Sequence, residues 1–317
     1  MWSASGVGSA NASPGAVSLT GRRWNVRASS ASGAELSTAL GVSALAGQIF
    51  AGRGLDVAFF QTGTASLLDP AGLKDIEPAL TRLHDARIRR EKIRLVTDYD
   101  VDGTTSCLVL HAALDRLGGS EISYHIPDRF TEGYGLSRRA VEHAAADGVN
   151  LIVTADIGVR DHATVSLAKS LGMDVIVCDH HLPHGQTVPT DALAVLCPPQ
   201  VGWGCAAQAL AACGVSLKLA TALLANDPRR DDYLNSMLKL SAIGTVADIV
   251  DLGTAENRAI VSLGLARLNG DRHGPGLTAL LEVSDAKPGE IDTSTLGWRL
   301  GPRINAAGRL ADANAVV

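Results

Sequence analysis

Two short runs, LIVTA (151–155) and VIVC (175–178), show no alternation of polar and apolar residues. A strand with one wet face alternates, whereas a run without alternation is buried on both faces and belongs in a sheet covered by helices on either side. The flanking text repeats the pattern. IRLVT (93–97) reads as a strand, and TSCLVLHAALDRLGG as a helix closing on a glycine pair. ISYHI, NLIVTA and DVIVC read as strands, separated by the helical LSRRAVEHAAADG and DHATVSLAKSLG. ALAVLC, after a loop bearing Pro and Gly, fits one more strand. Strands alternating with helices of this length predict an α/β fold with a parallel β-sheet flanked by helices. Past Ala206 the strand-like runs stop. Helical patterns continue through Leu268, with a shorter piece from Leu277 to Val283, and GPRINAAGRLADANAVV (301–317) reads as a loop that opens a helix.

Composition supports this layout. At 317 residues, 46% hydrophobic and 19% charged, the chain can bury a sizeable core, and its 4% aromatic content means a core of Ala, Val, Leu and Ile. The net charge of −5 excludes a histone-like polycation but not a local basic groove. One basic cluster stands out, with Arg82, Arg87, Arg89, Arg90, Lys92 and Arg94 against Asp85 and Glu91. Five cysteines without a CxxC pair suit buried reduced thiols, and the spacing of Cys197, Cys205 and Cys213 does not match a zinc ribbon. The longest apolar stretch, from Ala206, carries Gln208, Ser216 and Lys218 and reads as a buried helix, so no membrane association is expected. Residues 1–34 read as a flexible lead-in without a secretory signal, 35–270 as a catalytic domain, and 271–317 as the start of a connector. A cytoplasmic location follows from the thiols and the missing signal.

The acids fall where such a sheet places ligands. Asp98, Asp100 and Asp102 follow the first strand, Asp156 follows LIVTA, and Asp179-His180-His181 follow VIVC. The C-terminal ends of parallel strands share one edge, and ligands bind in the crevice there. So many carboxylates on one rim would repel one another unless divalent cations sat between them, and mixed Asp/His ligation suits manganese or magnesium. Taken alone, each acid also fits a helix cap or turn. DYDVDG matches the first half of a calcium loop, but the twelfth position is Val109, which cannot complete it. Asp100-Val101-Asp102-Gly103-Thr104 also resembles the nucleophile motif of haloacid-dehalogenase-type phosphatases, yet Asp98-Tyr99 intervenes after the strand and no downstream Gly-Asp-x-x-x-Asp occurs. Thr104, Thr105 and Ser106 are expected to open the following helix and offer N–H groups to an anion.

Six motifs in order, DYDVDGTTS, PDRFTEGYGLS, TADIG, CDHHLP, GTVADIV and GPRINAAGRL, resemble the DHH phosphoesterase superfamily, specifically its RecJ type of single-stranded-DNA exonuclease. The resemblance runs from about Glu35 to the C-terminus. It implies a hydrolase that removes 5′-mononucleotides from single-stranded DNA in the 5′-to-3′ direction, in DNA repair and recombination, with two Mn2+ or Mg2+ ions. Asp100, Asp102, Asp156, His180 and Asp248 would hold the metals, with Asp156 bridging and Asp98 as a weaker ligand. His181 would face the scissile phosphate. Arg303, Asn305 and Arg309 would contact DNA phosphates, and Arg129 with Tyr134 would line the path. Single-strand-binding protein or a helicase would be the partner such an enzyme meets. Thr97 stands where the family has Gly, and Asp251 where Pro is common. The family's second domain is expected to be missing. Two alternatives remain: a phosphoesterase for short oligonucleotides or small phosphate esters, and a truncated, inactive scaffold.

Overall fold

The computed structural model describes residues 19–22, 31–200, 209–270, 272–310 and 317. Cys205 and most of the expected lead-in lie outside these residues. The chain divides into two units, Met1–Thr62 and Gly63–Val317. In the first, helices Ala31–Leu40 and Ala44–Gly52 cross at a pair of glycines, and a Cβ on Gly47 would collide with the carbonyl oxygen of Gly33.

The second unit holds a five-stranded sheet in the order β2-β1-β3-β4-β5, all pairs parallel. The strands are β1 (Lys92–Thr97), β2 (Glu121–His125), β3 (Leu151–Ala155), β4 (Asp174–Cys178) and β5 (Ala194–Leu196). β3 is buried at every position, as its unalternating text requires. Leu95, Val153, Ile176 and Leu196 point to one face, under helices Ile76–Arg89, Val101–Leu117 and Ala212–Leu223. Their neighbours Val96, Ile152, Val175 and Val177 point to the other, under helices Arg138–Ala146 and His162–Ser170. A third cluster, including Ile243, Leu281, Leu296 and Leu300, joins helices Arg230–Ala247, Ala255–Leu268 and Pro275–Val283 to the C-terminal helix. The strand order reverses direction beside β1, so a crevice opens between the ends of β1 and β3.

Two expectations need correction. Helix Val101–Leu117 begins at Val101, not at Thr104: the Thr104 amide donates to the Asp100 carbonyl, and the Thr105 hydroxyl donates to the Val101 carbonyl. Thr104, Thr105 and Ser106 are buried within the helix and are not an anion site. Likewise GPRINAAGRL is helical throughout (Gly301–Leu310), continuing from a wide turn at Leu296–Leu300. Leu296, Leu300 and Ile304 recur at helical spacing and are all buried, which pulls the expected loop into the helix.

At the N-terminal ends of the strands much of the basic cluster is paired with acids. Arg82 reaches Glu91 and Asp174, both at 2.6 Å, Arg94 reaches Asp147 at 2.8 Å, and Lys92 lies 3.5 Å from Glu121. Cys107, Cys178, Cys197 and Cys213 are buried free thiols. Among the described residues no helix is long and apolar enough to cross a membrane.

Candidate metal centre

Each acid on the opposite rim sits one residue beyond its strand and is still held by the ladder. The amide of Asp98 donates to Ala155, that of Asp156 to Cys178 and that of Asp179 to Leu196, at 3.0–3.3 Å. The chain then has to turn at once. Asp98 leads into Asp100, which caps helix Val101–Leu117 by accepting from the Gly103 amide at 3.0 Å. A Cβ at Gly103 would collide with the Asp98 carbonyl oxygen, so the first turn of the helix closes tightly onto the strand end. Asp156 turns with φ +64°, a left-handed conformation that a non-glycine residue holds only when its surroundings impose it.

Together the turns gather a compact set of oxygens and nitrogens. His180 Nε2 lies 3.2 Å from Asp156 Oδ1 and 3.7 Å from Asp102 Oδ2, and its Nδ1 lies 3.7 Å from Asp248 Oδ2. Three ligand groupings result, each with donor atoms within 4.8 Å of one another: Asp98, Asp100 and Asp156; Asp102, His180 and Asp248; and Asp156, His180 and His181. Asp156 and His180 each occur in two of them. Asp248 follows the last turn of helix Arg230–Ala247, and Ile249 behind it also has positive φ, at +59°.

The electrostatics are those of a site short of positive charge. Burial, then the charge of Asp100, pushes Asp98 up to about 7. Burial, then Asp102 and Asp100, pushes Asp248 up to about 7. Asp156 is raised well above the usual carboxylate range by burial and by the acids around it, and burial also raises Asp102. Burial holds His180 below its ordinary value, favouring a neutral imidazole that can ligate a metal. Asp98 Oδ1 and His180 Nε2 are buried without a hydrogen-bond partner. Orphaned ligand atoms amid carboxylates that resist ionisation are the pattern a divalent cation would complete, and hard oxygen donors with imidazole fit Mn2+ or Mg2+.

Asp179 was not among the expected site residues, and it organises the next layer. Burial works against its ionisation, but the hydrogen bond from His181 and several amides outweighs this and lowers it. It accepts from the amides of Val159, His180 and His181, and lies 2.8 Å from His181 Nδ1. That hydrogen bond raises His181 above its ordinary value. The Tyr134 hydroxyl donates to the Asp156 carbonyl at 3.2 Å and lies 3.3 Å from His181 Nε2. The signal for Asp179 was its position directly after β4. Asp102 also has a second task. Its two carboxylate oxygens accept from the amides of Ala212 and Cys213, at 2.7 and 2.9 Å, capping helix Ala212–Leu223 from a distant part of the chain.

The expected phosphate contacts are less gathered. The Arg129 guanidinium lies over the Tyr99 ring at 4.2 Å, beside the acids. Arg303 is exposed and donates to the carbonyls of Val283 and Arg299. Asn305 is half-buried and Arg309 exposed on the same helix. Among the described residues none of these three bonds to the acid cluster. Their helix does start beside it, since a Cβ at Gly301 would touch Ala247 and Val101.

Residues 92–245 match the DHH family, N-terminal domain. The chain is 41% identical to the single-stranded-DNA-specific exonuclease RecJ of Dickeya dadantii over 279 residues, which is 85% of this chain and 48% of that protein. It thus spans less than half of that relative's length. Two solved structures are similar. One is a crystal structure of exonuclease RecJ bound to manganese, with TM-score 0.67, 32% identity, and coverage of 77% of this chain and 60% of that one. The other is RecJ from Thermus thermophilus in complex with Mg2+, with TM-score 0.63, 27% identity, and coverage of 90% and 37%.

Proposed function

From the match of residues 92–245 to the DHH family we propose that the chain is the catalytic part of a two-metal phosphodiesterase, a RecJ-type exonuclease that degrades single-stranded DNA from its 5′ end to 5′-mononucleotides. The observation that carries this reading is the convergence of five aspartates and two histidines from separate chain segments on one sheet edge, where burial and mutual repulsion hold several of the acids above their ordinary ionisation range. Asp98, Asp100, Asp102, Asp156, His180 and Asp248 would hold two Mn2+ or Mg2+ ions, with Asp156 shared between them. Bound there, the ions would supply Lewis acidity and activate water for phosphodiester hydrolysis.

The chain's own groups would do the rest. Asp179 fixes the ring of His181 and sustains its protonation, so that His181 presents an N–H to the scissile phosphate. Tyr134 holds the other side of that ring and the backbone of Asp156. Arg129 would meet the incoming phosphates, and Arg303, Asn305 and Arg309 would continue the path once Arg303 leaves its carbonyl partners. Residues 271–317 would begin the connector to the part of the family's length that this chain does not span. Single-strand-binding protein or a helicase is the partner this activity calls for.

The test is incubation of the 317-residue chain with Mn2+ and an end-labelled single strand, with duplex DNA and a dinucleotide alongside. Mononucleotides released from the long strand's 5′ end support the reading. Hydrolysis of the dinucleotide alone assigns the chain to short substrates. Absence of both, with Mn2+ bound, overturns it.

A further inference from the structure

A second site carries the opposite charge. Between helices Arg230–Ala247 and Ala255–Leu268 lies a cavity of about 680 Å3, lined by Arg229, Lys239, Arg267 and Arg272 with Asn235 and one acid, Asp232. Positions 232, 235 and 239 recur on one face of helix Arg230–Ala247. Gly244, whose Cβ position faces Thr105, Cys213 and Asp102, lies about 140° further round the helix. The cavity therefore opens away from the metal centre.

Among the described residues, three of its four cations have no carboxylate partner. Asp232 lies 3.5 Å from Arg229. Among the described residues no carboxylate is within ion-pair distance of Lys239, Arg267 or Arg272; Asp271, next to Arg272, lies outside them. Lys239 is buried, and its ammonium donates to the Arg272 carbonyl and lies 3.3 Å from His273 Nδ1. Burial and the nearby charge of Arg267 both lower its proton affinity. Arg267 Nε donates to Asn235 Oδ1 at 2.8 Å, which fixes the guanidinium and leaves it further donors to offer. In a chain of net charge −5, a concave site with this excess of donors and positive charge is set up for an anion.

We propose that this cavity is a second, non-catalytic phosphate-binding site, of a size to take one nucleotide. The phosphate would sit between Lys239, Arg267 and Arg272. It could arrive as a free 5′-mononucleotide or as one unit of a nucleic-acid strand, since both present the same group. The inference does not depend on the proposed hydrolysis.

Calorimetric titration of the full 317-residue chain in EDTA tests it, because chelation removes metal-bridged binding of these probes at the other rim. The probes are dAMP, inorganic phosphate and a short oligodeoxynucleotide. Saturable binding is expected, weakened at least about tenfold by Arg267→Ala and by Arg272→Glu and unchanged by Asp156→Asn. Arg272 is exposed, so its variant keeps the test sound if Arg267→Ala fails to fold. Tighter binding of dAMP identifies the free nucleotide as the occupant, and tighter binding of the oligodeoxynucleotide identifies the strand. No saturable binding up to about 10 mM, or affinities unchanged in both variants, overturns the proposal.

Discussion

The two edges of the one sheet use charge in opposite ways. At the N-terminal edge cations meet acids: Arg82 joins Glu91 and Asp174, Arg94 joins Asp147, and Lys92 lies near Glu121. At the C-terminal edge the acids face one another and two histidines, and burial with mutual repulsion pushes several above their ordinary range. The same parallel ladder runs to both ends of the strands, so backbone pairing alone does not impose the difference. An edge that neutralises itself serves the fold. An edge left short of cations stores repulsion that an outside ion can relieve, and this is what binding sites require.

The sharpest way to break the comparison is Asp156→Asn. It should lower Mn2+-dependent cleavage by about 10³-fold or more, on the order of 4 kcal/mol, while raising the melting temperature of the metal-free protein. Wild-type cleavage rates in this variant would remove Asp156 from the site. At the other edge, Arg82→Met strands two acids and should cost about 3 kcal/mol in urea unfolding, with the rate per folded molecule unchanged. Lost activity in a fully folded Arg82→Met protein would show that the edges are not separate in role.

A pH series probes the stored repulsion directly. Asp98 and Asp248 titrate near 7 in the folded chain, above the ordinary 3.8, so the folded state binds more protons than the unfolded one between these values. Stability of the metal-free protein must then fall as pH rises from about 4 through 7. Scanning calorimetry in EDTA should show a drop of roughly 5 °C between pH 5 and 8, and saturating Mn2+ should remove it. A rising melting temperature over that range would contradict the account. The smallest effect belongs to Tyr134→Phe, which removes one hydroxyl from between His181 and the Asp156 backbone. Cleavage should slow about tenfold, with the melting temperature within about 2 °C of the parent. An unchanged rate would make Tyr134 a spectator.

Legibility in the sequence followed the range of the interactions. The strands and the acids after them could be read because burial on both faces leaves its mark on consecutive residues. Asp98, Asp156 and the Asp179-His180-His181 run fell where the sheet holds them. The capping of helix Ala212–Leu223 by Asp102 could not be read, since the partners are 110 and 111 residues apart. The same holds for the pairing of Arg82 with Asp174, and for a cavity whose cations come from two packed helices and the loop after them. Local reading failed at Gly301, where the run read as a loop and buried Leu296, Leu300 and Ile304 at helical spacing made a helix.

The double use of Asp102 constrains how this chain could drift in evolution. A lineage losing its chemistry could shed Asp98 or Asp248 and gain stability, because neither side chain caps a helix and both are held against their ordinary ionisation. Losing Asp102 would instead leave two amides at a helix start without an acceptor. Descendants retired from catalysis but kept as scaffolds should therefore still carry this aspartate, so its presence alone marks ancestry rather than activity.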